Sequence, residues 1–172
     1  MDIILIGMPG CGKTTIGRML AKRLKMELLD LDAEIEKAEG RKIPEIFEKD
    51  GEEYFRACET KCLKLSLGKG CVISTGGGIV VTEENHKIIK QSGAPVVFID
   101  RPLECIMGDV DTKSRPLLAK GKERLIRLHS ERYDKYISLC NIRVVNDGTR
   151  EEAVSKIIDE VNRYENYGNK RS

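Results

Sequence analysis

The run Gly7-Met8-Pro9-Gly10-Cys11-Gly12-Lys13-Thr14 spaces two glycines, a lysine and a threonine as GxxxxGK[ST], the pattern of a P-loop. Each residue type has work to do around a polyphosphate. Glycines let the backbone wrap an anion so that successive N–H groups and a helix N-terminus face it, Lys13 adds charge for the β- and γ-phosphates, and Thr14 offers a hydroxyl to Mg2+. On this reading Gly10, Cys11, Gly12, Lys13, Thr14 and Thr15 hold ATP. Two carboxylates follow in Leu29-Asp30-Leu31-Asp32. Such a pair can hold metal-bound water and orient a hydroxyl, while Asp32 ahead of Ala33-Glu34-Ile35 is equally a good helix N-cap. Arg56, within Glu53-Tyr54-Phe55-Arg56, and Gly76-Gly77-Gly78 after Ser74-Thr75 complete the unusual features. Three glycines permit a concave set of N–H groups, and an arginine beside them suits a carboxylate bound through both oxygens. Gly108 to Glu123 is basic, with Lys113, Arg115, Lys120 and Lys122 around Pro116, as a closing lid over a transferring phosphate would be.

These clusters need elements that bring them together. Five short apolar runs have strand length: Ile3-Ile6, Glu27-Leu29, Cys71-Ser74, Pro95-Ile99 and Ile142-Val145. Thr14 to Leu24 sets Ile16, Leu20 and Leu24 at helix spacing, and Glu52 to Leu67 and Glu151 to Tyr164 repeat that periodicity. Strands alternating with helices predict an α/β fold, a three-layer arrangement with a five-stranded, mostly parallel sheet. Ligands of such sheets bind outside the carboxyl ends of the strands. Gly7-Gly12, Asp30-Asp32, Gly76-Gly78, Asp100-Arg101 and Asn146-Thr149 each follow a strand in turn, so they are expected to converge on one crevice.

The 172 residues suit one domain over 1–164, with a lid at about 108–123 and a polar tail at 165–172. Thirty basic and twenty-eight acidic side chains leave a net charge of +2, which points away from nucleic acid. The start of the chain has no basic segment with a long apolar core, so no membrane partner and a cytoplasmic location are expected. A monomer is expected as well. Six cysteines are then expected to be reduced. Cys58 and Cys62 read as half-buried side chains of a helix, and His86 and His129 as lone surface or packing residues.

Taken together, these motifs resemble shikimate kinase over nearly the whole chain, from Met1 to about Val161. The family's sequence after the P-loop is matched by Thr15-Ile16-Gly17-Arg18-Met19-Leu20-Ala21, its D-x-D by Asp30-Leu31-Asp32, and its long G-x-x-I to F-R-x-x-E block by Gly40 through Glu59. Its T-G-G-G is matched by Thr75 to Gly78, its lid R-P-L-L by Arg115 to Leu118, and its E-R-x-x-x-Y by Glu131, Arg132 and Tyr136. The resemblance implies transfer of the ATP γ-phosphoryl to shikimate. It implies that Lys13, Asp32 and Arg115 are catalytic, with Asp32 binding acceptor hydroxyls and helping to deprotonate the attacking one. It also implies that Thr14 and, through water, Asp30 hold Mg2+. Asp32, Arg56, Arg132 and the turn Gly76, Gly77 and Gly78 would bind shikimate, with Arg115 reaching the phosphate.

The sequence departs from the family near the adenine. An arginine common in the helix entering the lid is absent from Cys105-Ile106-Met107-Gly108, and a proline common after the last strand is absent from Thr149-Arg150-Glu151-Glu152. Thr149 and Arg150 are expected there instead, with Arg150 stacking on the base. Rival readings are a gluconate or nucleoside-monophosphate kinase sharing the P-loop and lid, and a silent shikimate-binding regulatory domain.

Overall fold

The structure, a computed structural model, describes residues 1–109 and 115–168, the side chains of 115–120 and 167–168 excepted. The strands are β1 (Ile3–Ile6), β2 (Leu28–Asp30), β3 (Val72–Ser74), β4 (Val96–Asp100) and β5 (Ile142–Val145). The helices are α1 (Lys13–Leu24), α2 (Leu31–Glu39), α3 (Ile43–Ser66), α4 (Glu83–Gln91), α5 (Leu103–Gly108), α6 (Arg115–Leu139) and α7 (Arg150–Gly168). They form one sheet in the order β2-β3-β1-β4-β5, and every neighbouring pair is parallel. The five expected strands all form, shifted by at most one residue at either end.

Burial explains their composition. Every residue of β1, β3 and β4 is buried, because helices cover both faces, and these strands are correspondingly rich in Ile and Val. β5 lies at an edge and alternates, with Ile142 and Val144 inward and Arg143 and Val145 outward. Buried Asp2 ties the start of β1 to the start of β3 by accepting from the N–H groups of Gly68, Gly70 and Cys71 at 2.6, 2.7 and 3.1 Å. Because β1 sits between β3 and β4, the chain leaves it towards β2 and β3 first and returns to β4 and β5 later. The crevice at the carboxyl end of β1 is therefore the switch point where such sheets bind ligands.

Helix α3 is longer than its predicted stretch and is broken at Gly51 (φ 81°, ψ 175°), a conformation a side chain would resist. The predicted Glu52 to Leu67 helix is the part after the break. Phe55 there joins Ile35 of α2 and Ile46 in a small apolar cluster separate from the main core, which seats the α2–α3 unit. Helix α7 continues through Glu165 to Gly168, where a polar tail was expected, so that part of the tail is helical. Of the expected lid, residues 110–114, Lys113 among them, lie outside the described residues. From Arg115 onward the backbone belongs to α6.

Candidate active site

The loop after β1 turns into α1 at Gly12, whose left-handed backbone (φ 95°) would strain any other residue. Gly12 offers no side-chain cap, so the first N–H groups of α1 are left for an anion. Lys13 is buried with its Nζ inside the curve of the loop, donating to the carbonyls of Gly7 at 2.7 Å and Met8 at 2.9 Å. The cysteine of the loop, Cys11, is fully buried 3.5 Å from that Nζ.

β2 runs into α2 without a loop, and this decides between the two aspartates. Asp30, not Asp32, is the N-cap: its Oδ1 accepts from the N–H groups of Asp32 at 3.1 Å and Ala33 at 3.3 Å. The helix starts two residues earlier than a cap at Asp32 would allow, which releases the Asp32 carboxylate from capping. The other oxygen of Asp30 accepts from the Thr14 hydroxyl at 2.8 Å, with the Ser74 hydroxyl 3.5 Å from that of Thr14. This group of hard oxygen donors beside the phosphate loop suits a magnesium ion that keeps water and phosphate ligands.

Asp32 faces a cleft of about 450 Å3 lined by Lys13, Thr14, Asp30, Thr75, Gly76 and Gly77 among others. Burial, then the neighbouring Asp30 charge, pushes its carboxyl above the ordinary aspartate range, with Lys13 and Arg56 pulling the other way. The phosphate loop and the Asp32 carboxylate therefore share one space.

The glycine turn owes its composition to crowding. A Cβ on Gly76 would come within 2.8 Å of Asp32 Oδ1 and 3.2 Å of Glu59 Oε1, and one on Gly77 within 2.6 Å of the Pro9 ring. On Gly78 it would collide with the Arg56 guanidinium. The turn is thus packed against the P-loop, both acidic groups and the arginine at once. Arg56 donates to Glu59 at 2.9 Å and to Glu52 at 3.1 and 3.3 Å. Glu59 is 1% exposed and its Oε1 has no partner among the described residues. Burial raises its carboxyl above the usual range and Arg56 opposes that shift.

Two residues of this wall carry roles that the sequence reading did not assign. Glu59 fixes the Arg56 guanidinium, and its i,i+3 spacing from Arg56 was the available signal. Tyr136, fully buried and stacked on Phe98 with ring centroids 5.1 Å apart, donates its hydroxyl to the Gly77 carbonyl at 2.5 Å. It ties α6 to the glycine turn. Burial pushes its phenol far above the ordinary tyrosine range, so it stays a donor. Arg132, one turn earlier on α6, has a buried Nε without a partner among the described residues. The side chain of Arg115 lies outside the described residues.

On the other side of the P-loop a second cleft of about 670 Å3 runs from Gly10, Cys11 and Gly12 past Arg101, Asp109 and Asn146 to Gly148 through Glu151. Thr149 and Arg150, the residues expected near the adenine, line it. Thr149 also makes a reciprocal cap at the start of α7: Glu152 N–H donates to its hydroxyl at 3.2 Å and its own N–H donates to Glu152 Oε2 at 2.9 Å. Its T-x-x-E spacing announces that cap. All six cysteines are free, and His86 sits 2.8 Å from the Val80 carbonyl while His129 packs on Tyr133, as packing roles require. No helix among the described residues is long and apolar enough to cross a membrane.

Comparison with known proteins agrees with this geometry. The shikimate kinase family profile matches residues 9–162. A shikimate kinase of Clostridium botulinum (strain Alaska E43 / Type E3) is 47% identical over 156 residues, covering 90% of this chain and 93% of that protein. Among solved structures, shikimate kinase from Acinetobacter baumannii in complex with shikimate is 37% identical with a TM-score of 0.83, covering 93% of this chain and 92% of the other. The Aquifex aeolicus enzyme is 41% identical with a TM-score of 0.80, over 92% and 94% of the two chains. With a P-loop and the Asp32 carboxylate meeting in one cleft, and with this similarity along almost its full length, the chain belongs to the shikimate kinase family.

Proposed function

We propose that this chain transfers the γ-phosphoryl group of ATP to the 3-hydroxyl of shikimate, giving ADP and shikimate 3-phosphate, a step of aromatic amino-acid (chorismate) biosynthesis. The observation that carries the reading is the shared cleft in which the Asp32 carboxylate faces the Lys13 loop, walled by a glycine turn with Arg56 behind it.

In the proposed reaction Asp32 orients the acceptor hydroxyl and takes its proton as that oxygen bonds to the γ-phosphorus and the bond from phosphorus to the β-bridging oxygen breaks, leaving ADP. Burial and the Asp30 charge raise its carboxyl, which makes it a better base than an exposed aspartate. Arg56, Arg132 and the N–H of Gly77 hold the carboxylate of shikimate at the far end, where fixed positive charge fixes the approach of the hydroxyl. Lys13 and the N-terminus of α1 hold the β- and γ-phosphates, with Arg115 meeting charge on the transferring group. Thr14 and, through water, Asp30 would hold Mg2+, which would supply positive charge against the phosphates. The enzyme is read as a cytoplasmic monomer that works on small molecules, without nucleic acid or membrane partners.

The test is release of ADP with shikimate, gluconate, AMP or CMP as acceptor. Turnover is expected with shikimate and near background with the others. Equal turnover with any of the other three would overturn the acceptor assignment.

A further inference from the structure

The second cleft shares Gly10 and Gly12 with the acceptor cleft but opens to the opposite side of the P-loop. A nucleotide whose phosphates lie in the loop, with its γ-phosphoryl aimed at Asp32, must send its nucleoside this way. Two arginines line the path. Arg150 is exposed at the start of α7. Arg101, the first residue after β4, is held at both ends of its guanidinium: Nη1 donates to the Asn146 carbonyl at 3.3 Å and Nη2 to Asp109 Oδ2 at 2.8 Å. Its Nε is buried.

That pinning decides what Arg101 can bind. Asp109 and the Asn146 carbonyl take up both outer nitrogens, so no fork of donors is left to compete for phosphate. Both outer nitrogens are engaged and Nε is enclosed, so the flat face of the guanidinium is what remains for a ligand. A planar cation fixed by two anchors offers a stacking surface with little ordering cost, and its natural ligand is a planar aromatic ring. Arg150 has no such anchoring among the described residues.

We infer that Arg101, clamped by Asp109 and the Asn146 carbonyl, is the platform on which the purine base of the nucleotide stacks. This rests on the kinase reading for the nucleotide, though not on the identity of the acceptor. It moves the base contact from Arg150, expected from sequence, to a residue that precedes α5. The platform is built from β4, the residue after α5 and the loop after β5, three segments that only the folded chain joins.

The experiment compares calorimetric binding of ADP with that of inorganic tripolyphosphate, without any acceptor, for the full chain and its variants. Tripolyphosphate fills the phosphate loop and lacks a base. Arg101→Ala is expected to weaken ADP roughly tenfold, the scale of a partly desolvated cation–π contact, with tripolyphosphate within about twofold. Arg101→Lys keeps the charge and can still meet Asp109, which protects the fold, but has no flat face; it is expected to weaken ADP as much as the alanine variant does. Unchanged ADP affinity in Arg101→Lys, equal weakening of ADP and tripolyphosphate, or a larger ADP loss in Arg150→Ala than in Arg101→Ala would each overturn the inference. Because no acceptor is present, failure here is distinct from failure of the shikimate assignment.

Discussion

Replacing Gly78 by Ala tests whether Arg56 holds the acceptor. Gly78 does not have a positive φ, so its backbone accepts a side chain, but the added methyl group occupies the place of the Arg56 guanidinium. The arginine must move, and its bond to Glu59 at 2.9 Å goes with it. Glu59 is 1% exposed and burial already raises its carboxyl, so losing Arg56, which opposes that shift, favours the neutral acid over an unpaired buried charge. The stability loss is therefore that of one charge-assisted hydrogen bond, about 1.5 to 3 kcal/mol. At roughly 2–4 °C per kcal/mol for a chain of this size, that is a drop in Tm of about 3 to 12 °C. If Arg56 holds the shikimate carboxylate as proposed, the displaced guanidinium also forfeits that bond, of similar strength, which corresponds to an increase in shikimate KM of about ten- to a hundredfold. That contact is made in the ground and transition states alike, so kcat should fall only a few-fold, and ATP KM should not change. Steady-state ADP release with each substrate varied, beside calorimetric shikimate binding and a thermal melt, reads all of these. A lowered Tm with shikimate KM and Kd both within twofold of the parent would refute the placement of the carboxylate against Arg56.

Two further substitutions probe neighbouring parts of the cleft. Asp32→Asn is expected to lower kcat at least about a hundredfold, as loss of a general base does; a change of a few-fold would leave Asp32 as a hydroxyl ligand only. Since Asp32 must be ionised to act and its carboxyl is raised by burial and by Asp30, kcat/KM of the parent should fall as pH falls through a value above the ordinary aspartate range. An acid limb at the ordinary value would contradict this origin. Tyr136→Phe removes the 2.5 Å bond to the Gly77 carbonyl while keeping the stack on Phe98, so it should cost about 1 to 3 kcal/mol in urea unfolding and raise shikimate KM more than ATP KM. Unchanged shikimate KM would show that the glycine turn keeps its shape without α6.

How much was legible follows from how local each cause is. The P-loop was readable because its chemistry lies in a contiguous backbone turn, with Gly12 in the left-handed conformation and Lys13 one residue later. All five strands were readable from their apolar runs, since a parallel sheet covered on both faces demands them. The α1 helix and the part of α3 after Gly51 followed from periodicity for the same reason. Sequence could place Asp30 and Asp32 beyond β2 but could not tell which capped α2, because both fit a helix start. The answer depended on β2 pairing as far as Ser74, which carries Asp30 to the last position of the strand.

The chain's residues therefore determined by themselves the phosphate loop, the strand and helix inventory and the chemical kinds of group available to the acceptor. Only the tertiary structure decided which of those groups meet. Strand order set β1 between β3 and β4, so the loop after β1 and the glycine turn after β3 became neighbours, with Gly77 against Pro9. Glu59 became a buried partner of Arg56, and Tyr136 reached Gly77 across 59 residues of sequence, through packing that no local pattern encodes. The same holds for Arg101, an ordinary charged residue in sequence that three separate segments fix in place. Periodicity and motif spacing report on forces acting within a few residues, whereas burial, desolvation and crowding act between segments and exist only once the core has formed.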